Sequence, residues 1–367
     1  MTGSEVGGGT SEGSPGGPTP HARTRPAGMT TVARLAGVSH QTVSRVLNDH
    51  PSVRPETRER VLRAMAELDY RPNRLARALV TSRSGLIGVV TGGSARFGPT
   101  STLLAVEEAA RAAGFATTVT AVPDQDPATM AEQMAETLRA MDSQAVEGVI
   151  VIAPRVSAVE AVERMASRAP LLVIAAGVQP TARYGVVNVD QAGAARDVTA
   201  HLLAQGHTRI AHLAGPSDWF DARERHRGWA AELAAAGLEP GPVWEGDWTA
   251  RSGFETGRRI LALAERPTAV VACNDLMALG LVRALSEGGL DVPGDVSVTG
   301  FDDIEGTDYL RPPLTTVRQD FRTLAETVVG QLVATIGGGS AEAAEHAVPI
   351  PAEVVVRDST ASPTARD

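Results

Sequence analysis

From residue 86 onward the chain alternates between apolar runs of strand length and stretches of helical periodicity, and this alternation limits the possible folds more than any other feature. Strands are expected at 86–91, 115–122, 148–153 and 171–175, with helices at about 99–113, 127–141 and 157–168 between them. A second series starts near residue 185. Its strands fall at 186–189, 209–214, 243–245, 269–272 and 296–300, and its helices at 191–205, 222–236, 250–264 and 276–287. Such βαβ alternation builds parallel sheets covered by helices on both faces. Two series imply two lobes, with a ligand cleft between them beyond the strand ends. The longest apolar run, 171–178, has strand length and falls well short of the ~18–20 residues of a membrane span.

The segment before this body has a different character. Residues 1–27 are rich in Gly, Ser, Thr and Pro and are expected to be a disordered leader, with translation from Met29 as an alternative start. Residues 28–83 carry ten arginines against five acidic residues, a net +5, whereas the whole chain is −9 and contains no lysine. A basic head on an acidic body points to a polyanion-binding module. In the head, Val32, Ala33, Leu35 and Ala36 give a first helix an apolar face, and Gly37 and Val38 break it. Ser39 is placed to cap a second helix, 40–47, with Val43, Val46 and Leu47 facing inward. Its outer face carries His40, Gln41, Ser44 and Arg45. Gln suits adenine and Arg suits guanine in the major groove. Pro55 and Glu56 suit the start of a third helix, with Val61, Leu62, Met65 and Leu68 closing a three-helix core. The stretch 74–79 is too short to be stable as a helix without a partner.

Signatures of chemistry are missing from the body. It has no G-x-x-x-x-G-K-[ST], no G-x-G-x-x-G after a strand, no G-x-S-x-G and no H-E-x-x-H. The single cysteine, Cys273, excludes internal disulfides and multi-cysteine metal sites, and it is expected in the core. His201, His207 and His212 have the wrong spacing for one helix face and are expected to be structural. No catalytic residue, metal or cofactor is therefore expected, and the body is a binder.

The run VARLAGVSHQTVSRVLNDHPSVRPETRERVLRAMAELDYRPNRLARAL resembles the DNA-binding head and hinge of the lactose-repressor (LacI/GalR) family of bacterial transcription factors. Farther on, IAHLAGP, ARERHRGW, EGDWTARSGF, VACNDLMALG, VSVTGFDD and PPLTTVRQDF follow the family's order, closest in pattern to its galactoside-responsive branch. The resemblance runs from about residue 29 to 359. It implies a small all-α helix-turn-helix head at 28–72, a hinge helix and linker at 73–85, and a two-lobed periplasmic-binding-protein-like α/β body at 86–358. Lobe 1 would span about 86–174 and 320–347, lobe 2 about 175–319 and 348–358, and residues 359–367 would form a disordered tail.

The same resemblance implies roles for particular residues. His40, Gln41 and Arg45 would read bases. Ser39, Thr42, Ser44, Asn48 and Tyr70 would hold phosphates, Asn73 would belong to the DNA-binding hinge, and Leu79 would wedge into the minor groove of a palindromic operator. In the body, Arg225 would clamp sugar hydroxyls, Asp302 would accept from a hydroxyl pair, Asn274 would do both, and Trp248 would stack on a pyranose. Asp221, Gln319 and Phe321 would complete or flank the pocket. Thr91, Gly92, Ser94, Phe97 and Arg155 would line it from the first lobe. The galactoside-like branch has Ser and Asp where this chain has Gly92 and Val156, which leaves open another glycoside, or a phosphorylated one drawn to Arg155. The implied protein is a cytoplasmic homodimer, paired largely through lobe 1, that represses carbohydrate genes until a sugar releases it. A corepressor-dependent or activating regulator with another effector is the alternative. A fused enzyme, a transport-type sugar binder and a ligand-blind architectural protein fit the residues less well.

Overall fold

The computed structural model describes residues 28–47, 50–70, 83–92, 95–122, 127–164, 169–338 and 347–363. It divides into two compact units, Met1–Val80 and Thr81–Asp367.

The first unit holds α1 (Met29–Ala36), α2 (His40–Leu47) and α3 (Pro55–Glu67). No side chain caps α1 at Gly28, and its other end closes at Gly37, whose φ of 64° is the left-handed geometry glycine adopts freely. Ser39 does cap α2, because the Thr42 N–H donates to Ser39 Oγ at 3.2 Å. Val32, Ala33, Ala36, Val43, Val46, Val61 and Ala64 form the core, with Met65, Leu68 and Tyr70 packed against it. Leu35 and Leu62, expected inside, are 46% and 51% exposed. Each short helix offers only a narrow stripe to a three-helix centre, and these two leucines lie on its flanks.

In the second unit, β1 (Leu86–Gly92), α4 (Phe97–Ala112), β2 (Ala116–Val122), α5 (Pro127–Ser143), β3 (Gly148–Ile152), α6 (Val156–Glu163), β4 (Leu171–Ile174) and β5 (Gly185–Val189) come first. Then follow α7 (Gln191–Ala204), β6 (Ile210–Ala214), α8 (Phe220–Ala235), β7 (Val243–Glu245), α9 (Ala250–Leu261), β8 (Ala269–Ala272), α10 (Asp275–Glu287) and β9 (Ser297–Thr299). The chain ends with β10 (Thr316–Gln319), α11 (Phe321–Ile336), β11 (Val348–Ile350) and β12 (Ala352–Val355). One parallel sheet has the order β11-β5-β4-β3-β1-β2, the other β7-β6-β8-β9, and β10 and β12 pair antiparallel. Both faces of each large sheet are buried, as parallel sheets require. In the first lobe α5 and α6 cover one face while α4 and α11 cover the other. In the second, α9 and α10 oppose α7 and α8.

The lobe boundary differs from the one expected from the sequence. β5 pairs in parallel with β4, and β11 pairs with β5, so residues 175–189 and 348–350 belong to lobe 1. All five residues of β5 are buried, and an apolar run alone does not show which sheet encloses it. The chain therefore crosses between lobes at Asp190, at Asp320 and near residue 351. Asp190 and Asp320 each cap the helix that starts there, accepting from Gly193 N at 2.8 Å and Thr323 N at 2.9 Å. The expected tail is also ordered in part. Val298 N donates to Ser359 O at 2.9 Å, and Ser359 is fully buried along β9, where the edge strand needs a partner.

Candidate functional site

On the head, α2 presents its residues in two sets. His40, Gln41 and Arg45 are exposed or nearly so at the helix surface, while Val43 and Val46 anchor the opposite face in the core. Thr42 and Ser44 are half-buried, and Ser39 Oγ lies 2.9 Å from Thr42 Oγ1 at the start of the helix. Tyr70 is half-buried against the head core. Asn48, Asn73 and Leu79 lie outside the described residues. The exposed face thus offers an imidazole, an amide and a guanidinium on one rigid turn-and-a-half of helix, the donor and acceptor set that base edges accept.

In the body, two adjoining cavities lie between the lobes. The larger, about 90 Å³, is lined by Trp219, Asp221, Arg225, Trp248, Asn274 and Asp302 from lobe 2, closed by residues 95–99 of lobe 1. The smaller, about 40 Å³, shares Asp221 and adds Gln191, Gln319 and Phe321. All seven expected pocket residues therefore meet. Phe97 also reaches the larger cavity and packs edge-to-face on Phe321 with ring centroids 5.8 Å apart. Thr91 and Gly92 are not among its lining, and Ser94 is outside the described residues. Arg155 does not line it either, because its guanidinium pairs with Asp218 at 2.9 Å.

Polar groups in the wall are joined in a closed ring. Arg225 Nε donates to Gln191 Oε1 at 2.8 Å, Gln191 Nε2 to Gln319 Oε1 at 2.8 Å, and Gln319 Nε2 to Asp302 Oδ1 at 2.8 Å. Asp302 closes the ring with Arg225 Nη2 at 3.5 Å. Arg225 Nη1 also donates to the Cys273 carbonyl, and the guanidinium lies 3.6 Å from the Phe301 ring centroid. Gln191 follows one interlobe crossing and Gln319 precedes another. Any ligand that engages Arg225 or Asp302 therefore acts on hydrogen bonds to both crossing segments.

Two wall residues have strained backbones: Trp248 at φ 71° and Asp302 at φ 111°. Non-glycine residues enter this region rarely, and neighbours must hold them there. Trp248 is held because Thr249 N donates to Asp247 Oδ1 at 2.9 Å and Asn274 Nδ2 donates to the Trp248 carbonyl at 3.2 Å. Asn274 Oδ1 meanwhile caps α10 by accepting from Met277 N at 3.0 Å. Its amide is thus half engaged, with one N–H and one lone pair of Oδ1 left over for the dual ligand role expected of it. Trp248 also packs over Gly215, where any Cβ would overlap the indole. The buried indole N–H groups of Trp219 and Trp248 have no acceptor. Leaving such a donor unmet costs about 1–3 kcal/mol.

Burial pushes the Asp302 carboxyl up to about 6, against the pull of Arg225, and also raises Asp221. The ionised form of Asp302 is the one that accepts from both Arg225 and a ligand hydroxyl. A ligand relying on it should bind about tenfold more weakly at pH 5 than at pH 7, since a proton competes for the same oxygens. Calorimetric titration at the two pH values checks this, and equal affinity would take Asp302 out of ligand recognition. The other buried groups have structural roles. His207 joins Thr268, Ser297 and the Ala361 carbonyl, and His201 lies 2.9 Å from Thr360 Oγ1. His212 is fully buried, its imidazole pushed down to about 3, and Cys273 is buried with its thiol pushed up to about 11. Gln191 and Trp219 are pocket residues that the sequence does not single out, and neither carries a local signal for a pocket. No helix among the described residues is long and apolar enough to cross a membrane.

Comparison with known proteins agrees in both units. Residues 28–73 match the profile of bacterial regulatory proteins of the lacI family, and residues 199–360 match a periplasmic binding protein-like domain. The lactose operon repressor of Escherichia coli K12 is 37% identical over 340 residues, covering 92% of each chain. A transcriptional repressor PurR of Haemophilus influenzae is 30% identical over 334 residues, covering 90% of this chain and 98% of the relative. A solved lac repressor dimer bound to operator and the anti-inducer ONPF superposes with a TM-score of 0.80 at 35% identity, covering 92% of this chain and all of that one.

Proposed function

This chain belongs to the lacI family of bacterial regulatory proteins, and we propose that it represses transcription by gripping operator DNA until a neutral sugar or glycoside enters the cleft of its body. One observation carries the effector half of this reading: the ring of Arg225, Gln191, Gln319 and Asp302 joins the cavity wall to two interlobe crossings. Ligand hydroxyls that bond Arg225 and Asp302 compete with both glutamines, so occupancy shifts how the lobes meet. A shift in the balance of lobe positions worth about 1–3 kcal/mol changes operator affinity 5–150-fold. Burial raises the carboxyls of Asp221 and Asp302, so each gives up its proton less readily than an exposed acid. Two cationic side chains, Arg96 and Arg225, balance these two acids in the larger cavity. Arg225 is already engaged by Gln191, the Cys273 carbonyl and Asp302, which favours a neutral polyol over a phosphorylated one. The protein works in the cytoplasm, where its DNA is, and performs no catalysis.

Two heads are needed, because one recognition helix reads too few base pairs for useful specificity. The chain therefore acts as a homodimer on a palindrome. Leu104 on α4, Leu279 on α10 and Tyr309 are exposed apolar side chains that a second copy would cover. The decisive experiment measures binding of the full chain to genomic operator candidates by fluorescence anisotropy across a sugar library. Release by one sugar supports the reading, and a chain with no preference over random duplex sinks it. Arg45→Ala is expected to weaken specific binding by about 1–3 kcal/mol and relax one base position. Equal weakening on every sequence would make Arg45 a phosphate contact.

A further inference from the structure

If the effector is a sugar, as proposed above and as everything below assumes, the cleft also limits how large that sugar can be. Trp219 precedes the first turn of α8, forms part of the larger cavity wall and is only 4% exposed. Trp248 meets it edge-to-face with centroids 5.3 Å apart. The Arg155 guanidinium lies 5.5 Å from the Trp219 ring centroid, held by Asp218 at 2.9 Å. The main chain on either side is pinned across the lobes. Val156 N donates to Asp218 O at 3.2 Å, and Phe220 N donates to Pro154 O at 2.9 Å. These bonds fix the backbone at Trp219, and the ring itself is packed between Trp248 and the Arg155 guanidinium.

The space left beside it is small. The two cavities measure about 90 and 40 Å³, where clefts that enclose drug-sized ligands run to ~300–1,000 Å³. A second sugar ring has to find room beyond that needed for the first, in cavities well below this range. The chemistry of the wall fits one ring as well. Asp302 and Asp221 accept from hydroxyls, Arg225 donates, and the rings of Trp219 and Trp248 give the wall an apolar surface for the C–H side of a pyranose. We infer that Trp219 is a specificity-determining residue that restricts the effector to a single neutral sugar ring, a monosaccharide or its methyl glycoside, and excludes disaccharides.

The test titrates the full-length protein calorimetrically with D-glucose, D-galactose, D-mannose and their methyl glycosides, and with lactose, cellobiose and maltose. Wild type should bind at least one single-ring sugar about 100-fold or more tighter than any disaccharide containing that sugar. In Trp219→Ser the gap should shrink to about tenfold or less, through gain of the disaccharide. A wild-type protein that takes a disaccharide as tightly as its single ring overturns the size limit while leaving the sugar reading intact. Silence across the whole panel overturns the sugar reading and the size limit with it. Should Trp219→Ser fail to fold by circular dichroism, the wild-type comparison still decides the size limit, and the milder Trp219→Leu reads the residue's part in it: a folded variant with the wild-type gap overturns the assignment to Trp219.

Discussion

Arg225→Ala should abolish the response to effector while the protein still binds its operator. Arg225 is 4% exposed and Asp302 8%, so the pair sits in a low-dielectric wall. The substitution removes the donors to Gln191, the Cys273 carbonyl and Asp302 together. It also leaves the Asp302 carboxylate buried near Asp221 with only Gln319 to satisfy it. Breaking one side of a buried pair costs about 3–5 kcal/mol, much of it the penalty on the orphaned charge. Effector affinity should therefore fall by about 100-fold or more, and the body should melt earlier. A double variant separates these two effects. Arg225→Met with Asp302→Asn removes both charges, keeps an acceptor for Gln319 and a residue that tolerates the φ of 111°, so stability should recover while effector binding does not. The measurements are operator release by anisotropy and thermal unfolding by circular dichroism. A single variant released at the wild-type effector concentration would place recognition elsewhere.

Much of this site is legible in the amino-acid sequence, for identifiable reasons. Strand and helix positions follow from run length and period, so β7 and β8 match the expected ranges residue for residue. The outer face of α2 is readable because Ser39 marks its start and Val43 and Val46 mark its inner side. Lobe membership is not readable, because β5 and β4 join through inter-strand hydrogen bonds that leave no trace in hydropathy. Gln191 is invisible for a related reason. Its partner Gln319 lies 128 positions away, and a glutamine after an aspartate reads as the first turn of a helix. Trp219 precedes α8 and reads as an ordinary core aromatic. What makes it special is Arg155 and Trp248, each brought in from a different part of the chain. The left-handed backbones of Trp248 and Asp302 belong to the same class, since nothing in either residue type announces them. The wall is built from residues whose meaning depends on distant neighbours, and so its chemistry is legible while its dimensions are not.

Those dimensions depend on how closely α9 and α10 approach, and Gly280→Ala should disrupt that approach. A Cβ at Gly280 would overlap the Ala250 carbonyl oxygen, and one at Gly253 would overlap the Met277 carbonyl oxygen. Backbone atoms cannot turn aside as a flexible side chain can, so the helices must separate. Overpacking of this kind typically costs about 1–3 kcal/mol and occasionally more. The gain in helix propensity, about 1 kcal/mol, offsets only part of it. The damage should reach the cavity too. Thr249 caps α9 and Asn274 caps α10, and the 3.2 Å bond from Asn274 to the Trp248 carbonyl spans the gap between their first turns. Parting the helices pulls Trp248 away from the wall, so effector affinity should fall along with stability. Gly330→Ala is the matched control, in helix α11 where an added Cβ meets nothing within 4 Å. It should stabilise by about 0.5–1 kcal/mol through helix propensity alone. Urea unfolding of both variants decides the matter, and a Gly280→Ala protein as stable as wild type would mean the two helices do not pack backbone against backbone.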